Sequence, residues 1–334
     1  MRFSLDYGVW VYSNNTEATL FFEHFGIPTM GLDFLGCRRE RVPPLTGNIL
    51  LQHPYLADGW ELPDPVPENF LLFFCGFVEK HNLDAAVETL TLYAQGLGNI
   101  LDYPAVYVMK YFSFAVVLGI QSGFTTSASM ANGKLYETAQ AELGGDVLLS
   151  SAVVTMGRSD TGHRILVSTP EGNQLVLAHR LVVAIPPTLQ NLANFDLDDH
   201  EAALFSQLDG SYYYTTVLNI SGIPQDIQNL FTGFFSGGTY NLTEQEVRTT
   251  IRDNIRQLQV AGYETSDPEI LAYGNHSPFN LFVSADAIAN GFYRDLYVLQ
   301  GLRRTWYTGA AWHAHDSAAL WRFTERLLQR VIAD

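Results

Sequence analysis

The sequence predicts a mixed α/β chain folded in two lobes, and three observations carry that expectation. Residues 181–185, LVVAI, form a continuous apolar run closed by Pro186 and Pro187, the pattern of a strand covered on both faces. Residues 304–308, RTWYT, have the aromatic and branched side chains of a second strand. They lead through Gly309, Ala310 and Ala311 into an amphipathic segment with Leu320, Phe323, Leu327, Leu328 and Val331 on one helical face. The third observation is size: 334 residues at 47% hydrophobic content can bury one large core or two ordinary ones.

Taken in order, residues 5–12 predict a strand, followed by an Asn-rich turn and a helix over 16–25 that stops at Gly26. Residues 35–68 are rich in Pro and Gly and predict strands or extended loop; Arg38, Arg39 and Arg41 there suit a solvated face better than a diphosphate site. Val87, Leu90, Tyr93, Ala94 and Leu97 are at helical spacing within a helix over 82–97. Residues 103–120 are apolar on every side except at Lys110, so this segment should be buried. A helix over 132–143 ends at Gly144 and Gly145, and strands follow at 146–156, 163–169, 174–178 and 180–185. A second lobe begins near Asp198, with a strand over 212–221 and further strands at 270–273 and 279–285. Between them Thr243 and Glu246 form a capping box for a helix with Val247, Ile251, Ile255 and Leu258 on one face. Asp316 or Ser317 caps the last helix, whose free N–H groups and positive dipole end point back at the small-residue turn. That is a place for an electron-rich oxygen or an anion.

Composition narrows the partners. A formal net charge of -16 repels phosphate backbones and anionic membranes, which disfavours nucleic acid and points to a small neutral or cationic ligand. The 17 Tyr and 21 Phe suit an apolar ligand cavity as well as a core. Cys37 and Cys75 make neither a disulfide framework nor a zinc site, and Asn14, Asn219, Asn241 and Asn275 head sequons that matter only in a secreted protein. The apolar runs 70–78 and 111–120 are too short to span a bilayer and no signal-like segment opens the chain, so no membrane and a cytoplasmic location are the default.

Residues 313–316, HAHD, first suggest a metal, but the run breaks before completing H-x-H-x-D-H and no second ligand cluster exists, so no metal is expected. His313 is then either a histidine held by a turn and helix start or a group at a functional edge. No G-x-S-x-G elbow supports hydrolase chemistry. Lys110 would become a base or a water-positioning group if buried, against the favoured alternative of a buried stem whose ammonium reaches water. The string 96–101, GLGNIL, has Leu where the last glycine of G-x-G-x-x-G belongs and reads as a helix C-cap.

Three patches, residues 5–26, 135–187 and 304–334, together resemble the flavin-containing amine oxidases, and YTGAAWHAHDSAALW is most similar to their fungal beta-cyclopiazonate-dehydrogenase-like branch. The resemblance implies an FAD-binding domain from residues 1–34, 125–197 and 302–334, and a substrate-binding cap from 35–124 and 198–301. It implies non-covalent FAD, since the C-terminal block has no Cys. Gly8 and Val9 would pass close to the flavin, Val153 would present backbone to adenine, and the strand closed by Pro186 would run beneath the cofactor. Gly309 and Ala310 would border the ring, with the backbone of Asp316, Ser317 and Ala318 at the pyrimidine. Trp312 and His313 would reach the flavin edge, with Lys110 as a candidate facing group. The implied reaction is hydride transfer to flavin N5 from a carbon next to nitrogen, or another activated carbon, of a small molecule of fungal secondary metabolism.

The main departure is that no strand, G-x-G-x-x-G and acidic residue precede these patches. The expectation is therefore an N-terminally truncated family member that binds FAD weakly or not at all. The competing readings are a non-catalytic remnant and a small-ligand binding module. The architectural expectation is that residues 305–308 share a sheet with 181–185, with the last helix packed on it.

Overall fold

A computed structural model describes residues 11–32, 53–223 and 241–334. Gly8, Val9, Cys37 and the Arg38, Arg39 and Arg41 group lie outside the described residues, as does most of the strand expected at 5–12. Its last residue, Tyr12, exchanges backbone hydrogen bonds of 2.9 and 3.0 Å with Thr125.

The two strands expected to share a sheet do so as direct neighbours. β6 (Leu181–Val183) and β11 (Thr305–Tyr307) are parallel, with Leu181 opposite Thr305 and Val183 opposite Tyr307. The last helix, α12 (Ser317–Ala333), lays Leu327 and Val331 on Trp306 and Val182, while Leu328 is exposed. Tyr307 would leave its N–H and C=O bare on the far edge, but the Gln300 amide closes both at 2.8 Å. The apolar run is shorter as a strand than its composition suggests. It ends at Val183, and Ile185 is 44% exposed instead of covered on both faces.

Around this pair the elements follow local signals. Asn15 caps α1 (Thr16–His24) by accepting from the Ala18 N–H, and Gly26 ends it at φ +63°. Phe21 of α1 stacks on Trp321 of α12 at 4.0 Å, which brings the start of the described chain against the last helix. β1 (Thr29–Leu32) pairs with β2 (Phe124–Ser127). α2 (Glu68–Leu71), α3 (Phe74–His81) and α4 (Asp84–Tyr93) follow; Asn82 ends α3 in the left-handed region instead of opening the next helix.

The apolar stretch 103–120 is two helices, α5 (Ala105–Tyr111) and α6 (Phe114–Ser122), because Ser113 breaks the chain and caps the second by accepting from the Val116 N–H. Among the described residues no single helix is long and apolar enough to cross a membrane; this bent pair meets at 54°. After α7 (Gly133–Leu143) the three-stranded excursion forms as expected from β3 (Ala152–Ser159), β4 (Gly162–Thr169) and β5 (Gly172–Ala178), but Asp146 ends a short helical turn and the strand starts only at Ala152.

In the later half, α8 (Asp199–Phe205) and α9 (Glu244–Val260) both open with capping boxes, and α9 buries Val247 and Ile251 under the pair β8 (Tyr214–Asn219) and β9 (Glu269–Asn275). The strand expected at 279–285 shrinks to β10 (Leu281–Phe282), paired with β7 (Asp209–Gly210), because Ser284 caps α10 (Ala285–Ala289). α11 (Phe292–Val298) completes the set.

A buried ion network locks β11 in place. Arg158 of β3, with a fully buried side chain, donates to Asp196 at 2.7 Å, to both Glu201 oxygens at 2.8 and 2.9 Å, and to the Tyr307 hydroxyl at 3.0 Å. Tyr307 in turn donates to Glu201 at 2.8 Å, and Arg303 also pairs with Glu201. That second arginine holds a backbone φ of +48°, a left-handed conformation a side chain disfavours by about 1–3 kcal/mol. Burial works against charge on Glu201, but hydrogen bonds from Arg158 and Tyr307 outweigh it and hold the carboxyl below its ordinary value.

Removing one partner strands a buried charge, so Glu201→Ala should cost about 3–5 kcal/mol in urea unfolding at neutral pH. Because the folded pKa of Glu201 is depressed, its contribution is complete above the ordinary carboxylate range and is lost as pH falls through the folded value. The gap between wild type and Glu201→Ala should therefore narrow on acidification; a constant gap would show that this carboxylate does not carry the network.

Candidate active site

The carboxyl ends of β6 and β11 lie side by side, the edge at which open α/β sheets commonly take their ligands. Ala184, Ile185 and Pro186 leave one strand exposed; Thr308, Gly309 and Ala310 leave the other. Gly309 sits at φ +109°, which favours glycine. An added Cβ would stand 3.5 Å from the Ala184 carbonyl, so conformation and not crowding within the chain sets this residue.

A helical turn, Ala310–Trp312, then delivers the chain to the start of α12. Asp316 caps that helix: one oxygen accepts from the Ala319 N–H at 3.1 Å and the other from the Ser13 hydroxyl at 2.6 Å. The Ser317 and Ala318 N–H groups have no hydrogen-bond partner among the described residues, leaving a helix N-terminus with free donors beside the Gly309 turn. Val153, on β3, is partly buried and its carbonyl accepts from the Asn194 amide at 2.8 Å.

The other side of the turn is packed. Trp312 is buried between Tyr307, stacked at 4.9 Å, and Tyr297, at 6.1 Å, and its carbonyl accepts from the Tyr297 hydroxyl at 2.6 Å. His313 is buried with its ring edge-on to Phe323, and neither ring nitrogen has a hydrogen-bond partner among the described residues. Burial first, and then the charge of Lys110, push its pKa down to about 3; the Ala57 carbonyl works the other way without a bond of normal geometry. This imidazole is neutral.

Lys110 corrects the expectation that its ammonium reaches water. The residue is 3% exposed, and Nζ donates to the carbonyls of Leu56 at 2.5 Å and Gly59 at 2.7 Å, 5.2 Å above the Trp60 ring. Every side of α5 is core, so the stem has no route to solvent, and the carbonyls of a turn around Pro54–Ala57 take the place of water. Burial pushes its pKa down to about 7, opposed by Asp58.

That turn is what brings Lys110 and His313 together. Trp60 and Tyr297, which the sequence did not single out, fasten it: the Trp60 N–H donates to the Tyr297 hydroxyl at 2.8 Å, and Trp60 stacks on Tyr293 at 4.1 Å. Gly59 was the available signal, since a Cβ there would fall 2.5 Å from the Tyr297 oxygen. No group of three or more His, Cys, Asp or Glu among the described residues could hold a metal ion.

No family model matches the chain. Curated proteins do. The FAD-dependent oxidoreductase dbaF of Emericella nidulans is 33% identical over 380 residues, covering 99% of this chain and 81% of that protein. The chain belongs to the fungal FAD-dependent oxidoreductases. Another member, beta-cyclopiazonate dehydrogenase of Aspergillus oryzae, is 32% identical over 84% of this chain and 67% of its own length. Among solved structures, a CLA-producing fatty acid isomerase from P. acnes matches with a TM-score of 0.74 at 17% identity, over 97% of this chain and 86% of that one, which shows that the fold is shared. The branch expected from the C-terminal block is thus the one that sequence comparison finds, and flavin-dependent oxidoreduction is the activity of this family.

The buried lysine makes a prediction for this oxidoreductase. Between about pH 7 and the ordinary lysine value of 10.5 the unfolded chain holds a proton that folded Lys110 releases, so stability rises with pH across that window. Lys110→Met should flatten this rise in denaturant unfolding; an unchanged slope would mean that the ammonium stays fully charged in the fold.

Proposed function

We propose that this oxidoreductase removes hydride from a carbon next to nitrogen, or from another activated carbon, of a small organic substrate, with non-covalently held FAD. The observation that supports this most is the meeting of the Gly309 turn with the free N–H groups of α12 at the carboxyl ends of β6 and β11. FAD, when bound, supplies the hydride acceptor.

The ring end of FAD fits the residues present. Gly309 and Ala310 are small enough for a flat ring to approach the backbone, and the Ser317 and Ala318 N–H groups with the helix dipole favour negative charge at the pyrimidine. Pro186 closes the strand beneath this edge, and Val153 offers backbone to adenine; Gly8 and Val9, outside the described residues, belong to the same reading by resemblance. The sequence given has no G-x-G-x-x-G between a strand and a helix, so the reading rests on the ring end of the cofactor.

Hydride removal needs no nucleophile. The work of the chain is to hold the substrate carbon in a dry cavity, and His313, Trp312 and Lys110 serve that end differently. Trp312 and its stacked tyrosines exclude water from one side of the turn. Lys110 positions the Leu56–Trp60 turn through two carbonyls. His313, neutral and unpartnered, is the group free to meet a polar atom. The alternative is a small-ligand binding module that takes no flavin.

A flavin-fluorescence titration separates the two. The wild-type chain should bind FAD reversibly and be recovered without stoichiometric flavin. Proline is favourable at the first position of a helix, so Ser317→Pro keeps α12 and removes one free donor. It should weaken FAD about tenfold with an unchanged melting temperature. Gly309→Val should weaken FAD at least as much. FAD affinity unmoved by both changes, or no FAD binding at all, would overturn the flavin reading.

A further inference from the structure

Four ring-bearing side chains from separate stretches meet beside the α12 cap: Tyr111 at the end of α5, Tyr213 just before β8, Phe279 just before β10, and His315 in the turn ahead of α12. His315 stacks on Phe279 at 4.2 Å and 17°, and the tilted Tyr111 ring lies 6.4 Å from it. Tyr213 leans on Phe279 at 4.8 Å. His315 immediately precedes Asp316, the cap of α12, which sets this group of rings next to the helix start assigned above to the flavin ring.

The rings are not simply core: Tyr111, Tyr213, Phe279 and His315 all keep intermediate accessible surface, so each leaves part of its ring uncovered. The position of Phe279 depends on a glycine that the sequence reading set aside as a helix end. Gly96 lies under the ring, and an added Cβ would fall 1.9 Å from it. The backbone of Gly96 is not in the left-handed region, so what this residue provides is room. The imidazole Nε2 of His315 is buried with no hydrogen-bond partner among the described residues, a polar group left unsatisfied by the protein itself. Burial pushes the His315 pKa down to about 4, so the ring is neutral and offers one donor and one acceptor nitrogen.

We propose that Tyr111, Tyr213, Phe279 and His315 form the wall that selects the substrate, a planar conjugated ring bearing an N–H or O–H group that lies against the aromatic side chains and hydrogen-bonds to His315. Calling the occupant the substrate rests on the function proposed above; its binding requires no flavin. Flat apolar rings gain from offset or edge contacts with such a wall, and the imidazole discriminates by being left unpaired when the polar group is missing.

The test is equilibrium binding of 2-naphthol, with naphthalene and cyclohexanol as controls, to the flavin-free chain. Wild type should prefer 2-naphthol to both. His315→Leu should weaken 2-naphthol about tenfold and leave naphthalene unchanged. Gly96→Ala, which displaces the Phe279 ring, should weaken both aromatic probes. Thermal melts check the fold, and Tyr213→Phe, a milder change in the same wall, serves if Gly96→Ala is unstable. FAD affinity, titrated in the same variants, should stay at the wild-type value. The proposal fails if cyclohexanol binds as well as 2-naphthol, if neither probe responds to the variants, or if FAD affinity falls in parallel with probe binding. Loss of the flavin reading with this probe pattern intact would overturn the function proposed above and leave the aromatic wall standing.

Discussion

Arg158 joins three stretches of chain that lie far apart in sequence. Its guanidinium meets Asp196, the α8 residue Glu201 and the β11 hydroxyl of Tyr307 within one buried network. A guanidinium suits this position because its planar fork serves several acceptors at once, which a lysine ammonium cannot reproduce. With β11 fixed, the turn that follows and the start of α12 are fixed as well, since Thr308 and Gly309 continue directly from Tyr307. The candidate site therefore inherits its geometry from an ion network that reaches it through Tyr307, stacked on Trp312.

Local signals were legible where the chemistry is local. The capping boxes at Asp198 with Glu201 and at Thr243 with Glu246 act within four residues, as do the Asp316 cap and the Gly26 stop; of these Thr243 and Gly26 were read directly from the sequence, and Asp316 as one of two adjacent choices with Ser317. That β6 and β11 share a sheet was also legible, but that they are parallel neighbours is set by the fold. Strand ends were less so. The apolar letters of Ala184 and Ile185 do not record that the backbone turns away at Val183.

What the sequence hid was contact at a distance. Lys110 reads as a charge that should find water, and only the fold shows two carbonyls more than fifty residues away replacing it. Trp60 and Tyr297 carry no periodic or motif signal, although they fasten the turn that joins Lys110 to His313. The C-terminal block pointed to the right branch of proteins because its small residues and its cap sit close together in sequence. The wall formed by Tyr111, Tyr213, Phe279 and His315 left no such trace, being assembled from four separate stretches.

The Gln300 amide has a consequence for how this region can vary. By occupying both backbone groups of Tyr307 it imitates one residue of a neighbouring strand and, among the described residues, stands where a further strand beside β11 would pair. The clasp works only if the chain between residues 300 and 307 is neither longer nor shorter than the reach of one side chain. Insertions and deletions that loops elsewhere absorb are thus confined to other segments, and related proteins that keep this geometry should differ here by substitution and not by length.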